Sequence, residues 1–296
     1  MIFDRLPKKL VVWAPAKVNL FLEILGKRPD GYHEIATLMV AVSLYDTLEF
    51  KEGNKGETHL LGNAGTLSFG PDNLIHRVVD LVRQRTKCDR GIDITLTKRI
   101  PIGGGLAGGS TNAAATFLAL NEVWDLGMTL DQLVEWSAEL GSDIPFFFRT
   151  PAAWCTGRGE KVQPIKLSQR LWLVLLCPPV EVSTAEVYRR LVVPQVPHDE
   201  TKMLAAVREG TPESIARELH NRLELSAVQV CPDVLSRAKG HLAETNPAGY
   251  LLSGSGSTFF ALCHGPDEAK RVARELRDGE GLLAKSKIYV VRTCSV

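Results

Sequence analysis

The sequence predicts an α+β fold, in which strands and helices are mixed without strict alternation. Residues 11–25 alternate between two faces with the period of a β-strand, and residues 35–50 and 92–100 read as further strands. Apolar residues with helical spacing lie between and after these segments. Because the two patterns do not alternate regularly, a doubly wound parallel sheet is disfavoured.

A turn and then a helix follow the first strand segment. Arg28-Pro29-Asp30-Gly31 has the composition of a turn, since proline fixes φ and glycine accepts a positive φ. Asp72 is expected to cap a helix that runs to about Lys87, with an apolar stripe and a basic last turn. After the third strand segment we expect an Ala-rich helix from Ser110 to Asp125, stopped by Gly127.

The remaining elements divide between two predicted domains. Thr129-x-x-Gln132 has the spacing of a capping box and predicts a helix that ends at Gly141. We place the domain boundary near residue 160, which gives domains over 1–160 and 161–296. In the second domain we expect strands near 171–176, 249–263 and 287–293, and helices near 184–192, 200–208, 211–225, 232–243 and 266–277.

The composition excludes several classes of protein. Of the 296 residues, 45% are apolar and 23% are charged, as in ordinary globular proteins. Basic residues number 35 and acidic residues 34, so the basic excess of a typical nucleic-acid-binding protein is missing. The sequence has no apolar run of about 20 residues, the length that a membrane-spanning helix needs. Its six scattered cysteines fit reduced thiols, and we expect a cytoplasmic protein that binds neither nucleic acid nor a membrane.

The strongest functional feature is a glycine-rich loop between a predicted strand and a predicted helix. Residues 100–115 read IPIGGGLAGGSTNAAA, with five glycines between positions 103 and 109. Glycines let the backbone turn tightly and bring N–H groups against an anion, and the helix start adds positive potential. The alternative is a structural turn. The residues of the predicted phosphate cradle are Gly103, Gly104, Gly105, Leu106, Ala107, Gly108, Gly109 and Ser110.

Two common phosphate-binding motifs do not fit this loop. A P-loop needs Gly, four residues and then Gly-Lys, and Ser110 stands where the lysine is required. Gly103, Gly105 and Gly108 satisfy the dinucleotide pattern G-x-G-x-x-G. That pattern also needs an acidic residue about 20 positions later at the end of a second strand, and here that window lies in the helix.

Two charged residues are candidates to act beside the loop. Lys17 shares a strand face with Asn19, and its apolar sequence neighbours could partly desolvate it. The alternative is a lysine at the solvent edge. Asp143 follows a helix stop and precedes a proline and three phenylalanines, which could form an apolar wall that excludes water. The alternative is that Asp143 caps the next helix.

A second loop of small residues lies near the C-terminal end of the sequence. SGSGST, residues 253–258, separates two apolar strand-like flanks. Backbone amides and hydroxyls at Gly254 and Ser255 could reach a phosphate or the first glycine loop, whereas the alternative is a simple hairpin turn. The order of residues differs from Gly-x-Ser-x-Gly, so the loop does not indicate a hydrolase.

Three of these segments together resemble the motifs of the GHMP kinase superfamily. They are PAKVNLFL (15–22), the first glycine loop and SGSGST (253–258), which occur in the same order as in that superfamily. Pro29-Asp30-Gly31-Tyr32-His33, DNLIHR (72–77) and LGSDIPFFF (140–148) resemble the branch that acts on a cytidine diphosphate substrate. The resemblance covers most of 10–160 and a short part of the second half.

The resemblance implies a two-domain GHMP kinase-like fold with the active site in the inter-domain cleft. It implies an enzyme that transfers the γ-phosphoryl group of ATP to the 2-hydroxyl of cytidine diphosphate methylerythritol, in the non-mevalonate isoprenoid pathway. Mg²⁺ should accompany ATP, because phosphate oxygens are hard donors that prefer it. No dedicated protein ligand for Mg²⁺ is identified, although the Ser110 hydroxyl is a candidate.

The resemblance also implies roles for individual residues. Asp143 matches the family's catalytic aspartate and Lys17 its catalytic lysine, while residues 103–110 match the ATP phosphate loop. Asn73 and Lys98 match positions near the adenine. The positions that match the substrate site are Asn19 and the cytosine pocket of Tyr32, His33 and Tyr188, to which we add Gly254 and Ser255.

Two other enzyme classes and a non-catalytic nucleotide-binding relative remain as alternatives. The non-catalytic relative should lack Lys17 or Asp143, and this sequence has both. A GHMP kinase of the homoserine or mevalonate type predicts no dependence on cytidine, and Tyr32-His33 argues against it. A dehydrogenase predicts NAD binding and no turnover of ATP.

Overall fold

The computed structural model describes residues 1–63, 67–149, 151–278 and 283–295. Within these ranges no helix is both long and apolar enough to span a bilayer. In chain order the elements are β1 (Ile2–Leu6), β2 (Lys9–Lys27), β3 (His33–Gly53), β4 (Thr58–Gly62), α1 (Leu74–Thr86), β5 (Gly91–Thr97), α2 (Gly108–Val123), α3 (Leu130–Leu140), a 3₁₀ turn (Pro145–Phe148), β6 (Ala152–Gly157), β7 (Lys161–Pro164), β8 (Trp172–Cys177), α4 (Thr184–Arg190), α5 (Glu200–Glu209), α6 (Pro212–Arg217), β9 (His220–Asn221), α7 (Glu224–Val230), α8 (Pro232–Glu244), β10 (Gly249–Leu252), β11 (Phe259–Cys263), α9 (Pro266–Arg277), a second 3₁₀ turn (Leu283–Lys285) and β12 (Lys287–Arg292).

The chain forms two compact units that interleave along the sequence. The first unit comprises Met1–Ala16, Leu44–Ile100 and Ala107–Arg149, and the second comprises Lys17–Ser43, Pro101–Leu106 and Thr150–Val296. The long strands β2 and β3 each contribute residues to both units. The boundary near residue 160 stays a prediction.

In the first unit a sheet packs with helices. Its strands follow the order β1-β2-β3-β5-β4, in which β4 runs parallel to β5 and β3 antiparallel to it. The helix α1 packs against α2 and buries Val78, Val79 and Val82. The helix α2 is buried along most of its length, and its run of small side chains, Ala113 to Ala115, suits this burial. Its N-terminal end is the point at which the glycine loop enters the unit.

Two helix boundaries of this unit differ from the sequence prediction. Asp72 is not the cap of α1: Asn73 occupies that position with an extended backbone, and its Oδ1 accepts from Ile75 N at 2.9 Å. The Asp72 carboxylate instead accepts from Ser68 Oγ at 2.6 Å. The helix α2 begins at Gly108 rather than Ser110 because Ala107 adopts a left-handed conformation with φ 54°, and it ends at Val123 rather than Asp125.

The capping box and the end predicted for the next helix, α3, are confirmed. Both hydrogen bonds of the capping box between Thr129 and Gln132 are present at the start of α3, and Gly141 is its C-cap.

The second unit contains a four-stranded antiparallel sheet of order β10-β11-β8-β12. It also contains β6, β7, β9 and parts of β2 and β3. The extended segment predicted over 249–263 is two antiparallel strands with the SGSGST loop between them. Helices α7, α8 and α9 bury Ala227, Leu235 and Val272 in a common core with β8 and β11.

The single helix predicted over 211–225 is wrong. His220 and Asn221 leave the helix and pair in parallel with Phe21 and Leu22 of β2. Asn221 Oδ1 accepts from Leu223 N at 2.9 Å, immediately before α7 begins at Glu224. A pairing with a strand 199 residues earlier in the sequence overrides the local helical pattern.

A buried carboxylate fixes this pairing. The Glu23 side chain is 0% exposed and accepts from Arg222 Nη2 at 2.6 Å, from Ile24 N at 2.7 Å and from His198 N at 2.8 Å. His220 Nε2 lies 3.2 Å from the same carboxylate. Burial raises the pKa of Glu23, but the hydrogen bonds from Arg222 and the two backbone N–H groups outweigh burial and lower the pKa to about 2.

We expect Glu23→Gln to remove a stabilisation that depends on pH. The folded-state pKa of about 2 lies below the ordinary value of 4.5, so this stabilisation is complete above pH 4.5 and is lost as the pH falls toward 2. The shift corresponds to about 3 kcal/mol at 1.4 kcal/mol per pKa unit. Urea unfolding from pH 7 to pH 2 should show a difference between wild type and variant that shrinks below pH 4.5.

The exposed carboxylate of Glu135 on α3 provides the control, because Glu135→Gln should leave the pH dependence unchanged. Equal pH dependence in wild type and Glu23→Gln would contradict the assignment.

Candidate active site

The carbonyl oxygen of Gly105 accepts hydrogen bonds from two side chains that lie in distant parts of the sequence of the second unit. Lys17 Nζ donates to Gly105 O at 3.0 Å, and Ser253 Oγ donates to the same oxygen at 3.1 Å. The backbone N–H of Lys17 donates to Leu106 O at 3.1 Å. The first glycine loop is therefore tied both to β2 and to the SGSGST loop.

Glycine is required at position 105. The residue has φ +73°, and a Cβ built there would lie 2.1 Å from Ser253 O. At Gly104 a Cβ would lie 2.8 Å from Thr258 Oγ1. The two small-residue loops can approach this closely only because neither glycine has a side chain. This close approach confirms that the SGSGST loop reaches the first glycine loop.

Backbone and side-chain hydrogen bonds hold the SGSGST loop in place. Ser253 N donates to Thr258 O at 2.9 Å, and Thr258 N donates to Gly104 O at 3.2 Å. Asn221 Nδ2 donates to Gly254 O at 2.8 Å, which links the loop to β9. The hydroxyl of Ser255 lies 2.8 Å from Thr184 Oγ1 at the start of α4. The loop thus places small polar groups beside Lys17, whose Nζ would lie 3.4 Å from a Cβ at Gly254.

Lys17 is buried, and a hydrogen bond to Asn19 on the same strand face orients its ammonium group. Its exposed fraction is 4%, and Nζ donates to Asn19 Oδ1 at 2.7 Å. The alternation of β2 therefore confirms that Lys17 and Asn19 share a face, and the burial excludes a lysine at the solvent edge. An ammonium group that is removed from water interacts more strongly with a nearby anion.

The second half of the glycine loop starts α2 in the first unit. Ala107 is the N-cap, and within the described residues neither a side-chain cap nor an acidic residue occupies the first turn of this 16-residue helix. Lys98 Nζ would lie 2.5 Å from a Cβ at Gly108. A cation and the positive end of a helix dipole therefore coincide at this point of the loop.

Asp46 holds Lys98 and the entry to the loop. The Asp46 carboxylate is fully buried, forms an ion pair with Lys98 and accepts from the backbone N–H groups of Arg99 at 2.7 Å and Ile100 at 2.9 Å. Burial lowers the pKa of Lys98, and the opposing effect of Asp46 offsets only part of this. Asp46 stands in an extended segment with no motif around it, so the sequence did not indicate this role.

The aromatic residues expected to hold cytosine occupy neighbouring positions of the second unit. The His33 and Tyr188 rings lie 5.1 Å apart with an interplanar angle of 35°. Tyr32 is 53% exposed, and the Arg158 guanidinium lies 4.8 Å from the centre of its ring. Burial, followed by the charge of Lys27, lowers the pKa of His33. Arg158 belongs to no motif in the sequence, and its position beside Tyr32 was not predicted.

Asn73 and Asp143 belong to the first unit, and their assigned roles stay predictions. The Asn73 side chain caps α1 and also donates to Ser68 O at 2.7 Å. Asp143 is partly buried and precedes the 3₁₀ turn, in which Phe146 and Phe147 are buried at a ring distance of 5.1 Å. The N-cap of this turn is Ile144, so Asp143 does not cap it.

The chain matches two family models. One describes the N-terminal domain of GHMP kinases and matches residues 73–150, and the other describes the C-terminal domain of GHMP kinases and matches residues 203–280. The first glycine loop lies within the N-terminal match and the SGSGST loop within the C-terminal match, whereas Lys17 lies outside both.

Curated relatives and solved structures give the same result. Proteins of Bacillus cytotoxicus and Bacillus cereus named 4-diphosphocytidyl-2-C-methyl-D-erythritol kinase are 38% identical over 270 residues, which cover 91% of this chain and 93% of each relative. A crystal structure of 4-(cytidine 5'-diphospho)-2C-methyl-D-erythritol kinase has a TM-score of 0.79 at 33% identity and covers 96% of this chain and 100% of that one.

A homoserine kinase from Cytophaga hutchinsonii shares the fold, with a TM-score of 0.74 at 18% identity over 99% of this chain and 97% of that one. The chain therefore belongs to the GHMP kinase family and has its two-domain fold.

Proposed function

We propose that this protein transfers the γ-phosphoryl group of ATP to the 2-hydroxyl of 4-diphosphocytidyl-2-C-methyl-D-erythritol, giving the 2-phosphate and ADP. The observation that carries the proposal is the convergence of Lys17, the first glycine loop and the SGSGST loop on Gly105 O. This arrangement occurs in a chain that is 38% identical to relatives named for that reaction, over 91% of its length. The reaction would supply the cytoplasmic non-mevalonate route to isoprenoid precursors.

The glycine loop would hold the triphosphate of ATP. Phosphoryl transfer requires an enzyme mainly to position the reactants and to stabilise charge. The N–H groups at the start of α2 and the ammonium of Lys98 beside Gly108 supply positive potential for this. Mg²⁺, when bound with ATP, would neutralise part of the phosphate charge, and the hydroxyl of Ser110 in the first turn of α2 is suited to contact it.

Lys17 and Asp143 would act on the reacting groups. The buried ammonium of Lys17 would stabilise charge on the transferring phosphoryl group and favour formation of the alkoxide. Asp143 would accept the proton of the 2-hydroxyl as general base. Asn19 would contact the substrate from the same strand face as Lys17.

Tyr32, His33 and Tyr188 would bind the cytosine base. Aromatic rings can stack on a pyrimidine, and the imidazole can form hydrogen bonds with the edge of the base. Burial lowers the pKa of His33, which favours the neutral imidazole with one donor and one acceptor. Gly254 and Ser255 would border the substrate from the SGSGST loop.

The two alternatives make different predictions. Similarity to homoserine and mevalonate kinases at 18% and 16% identity supports only the shared fold. A dehydrogenase does not agree with membership of the GHMP kinase family. A coupled assay of ADP release distinguishes the proposed activity from both alternatives. Turnover should require the cytidine substrate with ATP and Mg²⁺, and should be absent with homoserine or mevalonate. Turnover of homoserine or mevalonate without the cytidine substrate would overturn the proposal.

We expect Asp143→Asn to lower kcat by a factor of about 10²–10⁴ and to preserve the affinity for ATP, because the variant removes the proton acceptor. Steady-state kinetics and calorimetric binding of ADP measure the two effects separately. Asp80→Asn, at an exposed position of α1, is the matched control and should retain normal turnover. A kcat for Asp143→Asn within a few-fold of wild type would remove Asp143 from its role.

We expect Tyr32→Ala to raise the KM for the cytidine substrate by about tenfold and to leave the KM for ATP unchanged, since base stacking on an aromatic ring contributes roughly 1–3 kcal/mol. Tyr32→Phe retains the ring and should behave nearly as wild type. If the KM values for both substrates change equally, Tyr32 does not stack on the base.

A further inference from the structure

A chain of buried hydrogen bonds extends from Lys17 to β3 within the second unit. Lys17 Nζ donates to Asn19 Oδ1 at 2.7 Å, and Asn19 Nδ2 donates to Thr37 Oγ1 at 2.8 Å. Thr37 Oγ1 in turn donates to Phe21 O at 2.6 Å. Thr37 is 1% exposed and Asn19 is 2% exposed, so water cannot easily replace either partner.

The direction of this chain is fixed by the single proton of the Thr37 hydroxyl. A backbone carbonyl can only accept a hydrogen bond, so the hydroxyl proton must point to Phe21 O. Toward Asn19 the hydroxyl can then only accept. The NH₂ group of Asn19 must therefore face Thr37, and its Oδ1 must face Lys17.

The orientation of the Asn19 amide determines whether a hydrogen-bond acceptor or a donor faces the Lys17 ammonium. An ammonium group has three donors and no acceptor. Asn19 Oδ1 can accept from Lys17, whereas an amide turned by 180° would place its NH₂ against the ammonium, donor against donor. Lys17 would then lose one of its two described acceptors and keep Gly105 O.

We propose that Thr37 is a positioning residue that sets the orientation of the Asn19 amide and, through it, the position of the Lys17 ammonium. The effect on turnover rests on the proposed function of Lys17, but the placement itself does not. The sequence conceals this role, because Thr37 lies within the apolar run from Ile35 to Val40, where threonine is an ordinary strand residue.

Two substitutions separate the hydroxyl from the rest of the side chain. Thr37→Val has nearly the same shape and lacks the hydroxyl, whereas Thr37→Ser keeps the hydroxyl and lacks the methyl group. We expect Thr37→Val to lower kcat by about tenfold or more while the KM for ATP changes less than about twofold, and Thr37→Ser to recover most of the turnover. A merely structural role would change the amount of folded enzyme and not kcat per folded molecule.

The same substitution made in the Asn19→Ala variant tests whether Thr37 acts through Asn19. In Asn19→Ala the amide is absent, so adding Thr37→Val should change kcat by less than about twofold. An additional tenfold loss in this background would overturn the proposal, as would a kcat for Thr37→Val equal to that of wild type.

Neutron crystal structures of the two variants, in which the oxygen of an amide is distinguished from its NH₂ group, test the placement without activity. The distance from Lys17 Nζ to Asn19 Oδ1 is 2.7 Å in the wild-type chain and should stay so in Thr37→Ser. In Thr37→Val it should exceed about 3.5 Å, the limit of a hydrogen bond. An unchanged distance in Thr37→Val would overturn the proposal, whereas a wild type that fails to phosphorylate the cytidine substrate would overturn only the proposed function.

Discussion

Lys17 and Ser253 share a single acceptor, the carbonyl oxygen of Gly105, at 3.0 and 3.1 Å. These three residues belong to β2, the first glycine loop and the SGSGST loop, which are distant in the sequence. The contact is possible because position 105 has φ +73° and no side chain. The contact ties the buried Lys17 and the SGSGST loop to the first glycine loop, and the Asn19 amide adjoins it through Lys17.

The same loop connects this contact to the start of α2. After Leu106 the chain adopts a left-handed conformation at Ala107 and begins the helix at Gly108, beside the ammonium of Lys98. Asp46 holds that ammonium and the backbone that leads into the loop. A buried carboxylate therefore supports a loop that is itself suited to bind an anion, and this agrees with a kinase of the GHMP family.

The local patterns of the sequence predicted the contacts around Lys17 and Gly105 better than they predicted the buried residues that hold Lys98 and Asn19. The alternation of β2 placed Lys17 and Asn19 on one face, and the small residues of two loops indicated their close approach. The sequence did not indicate Asp46 and Thr37, because both form their contacts with residues that are distant in the sequence. The error over 211–225 has the same origin, since His220 leaves its helix to pair with Phe21. Asp72 and Asn73 are both good caps, so the sequence alone could not select between them.

The close contact at Gly105 shapes the loop that we propose to bind the nucleotide, and calorimetric binding of ADP to Gly105→Ala measures how far that binding depends on the contact. The new Cβ would lie 2.1 Å from Ser253 O at a residue with φ +73°, so the loop must move. We expect Gly105→Ala to bind ADP at least about tenfold more weakly, which corresponds to about 1.4 kcal/mol. Gly26→Ala, on β2 with nothing within 4 Å of the new Cβ, should bind ADP as wild type does. Normal ADP affinity in Gly105→Ala would show that nucleotide binding does not depend on this contact.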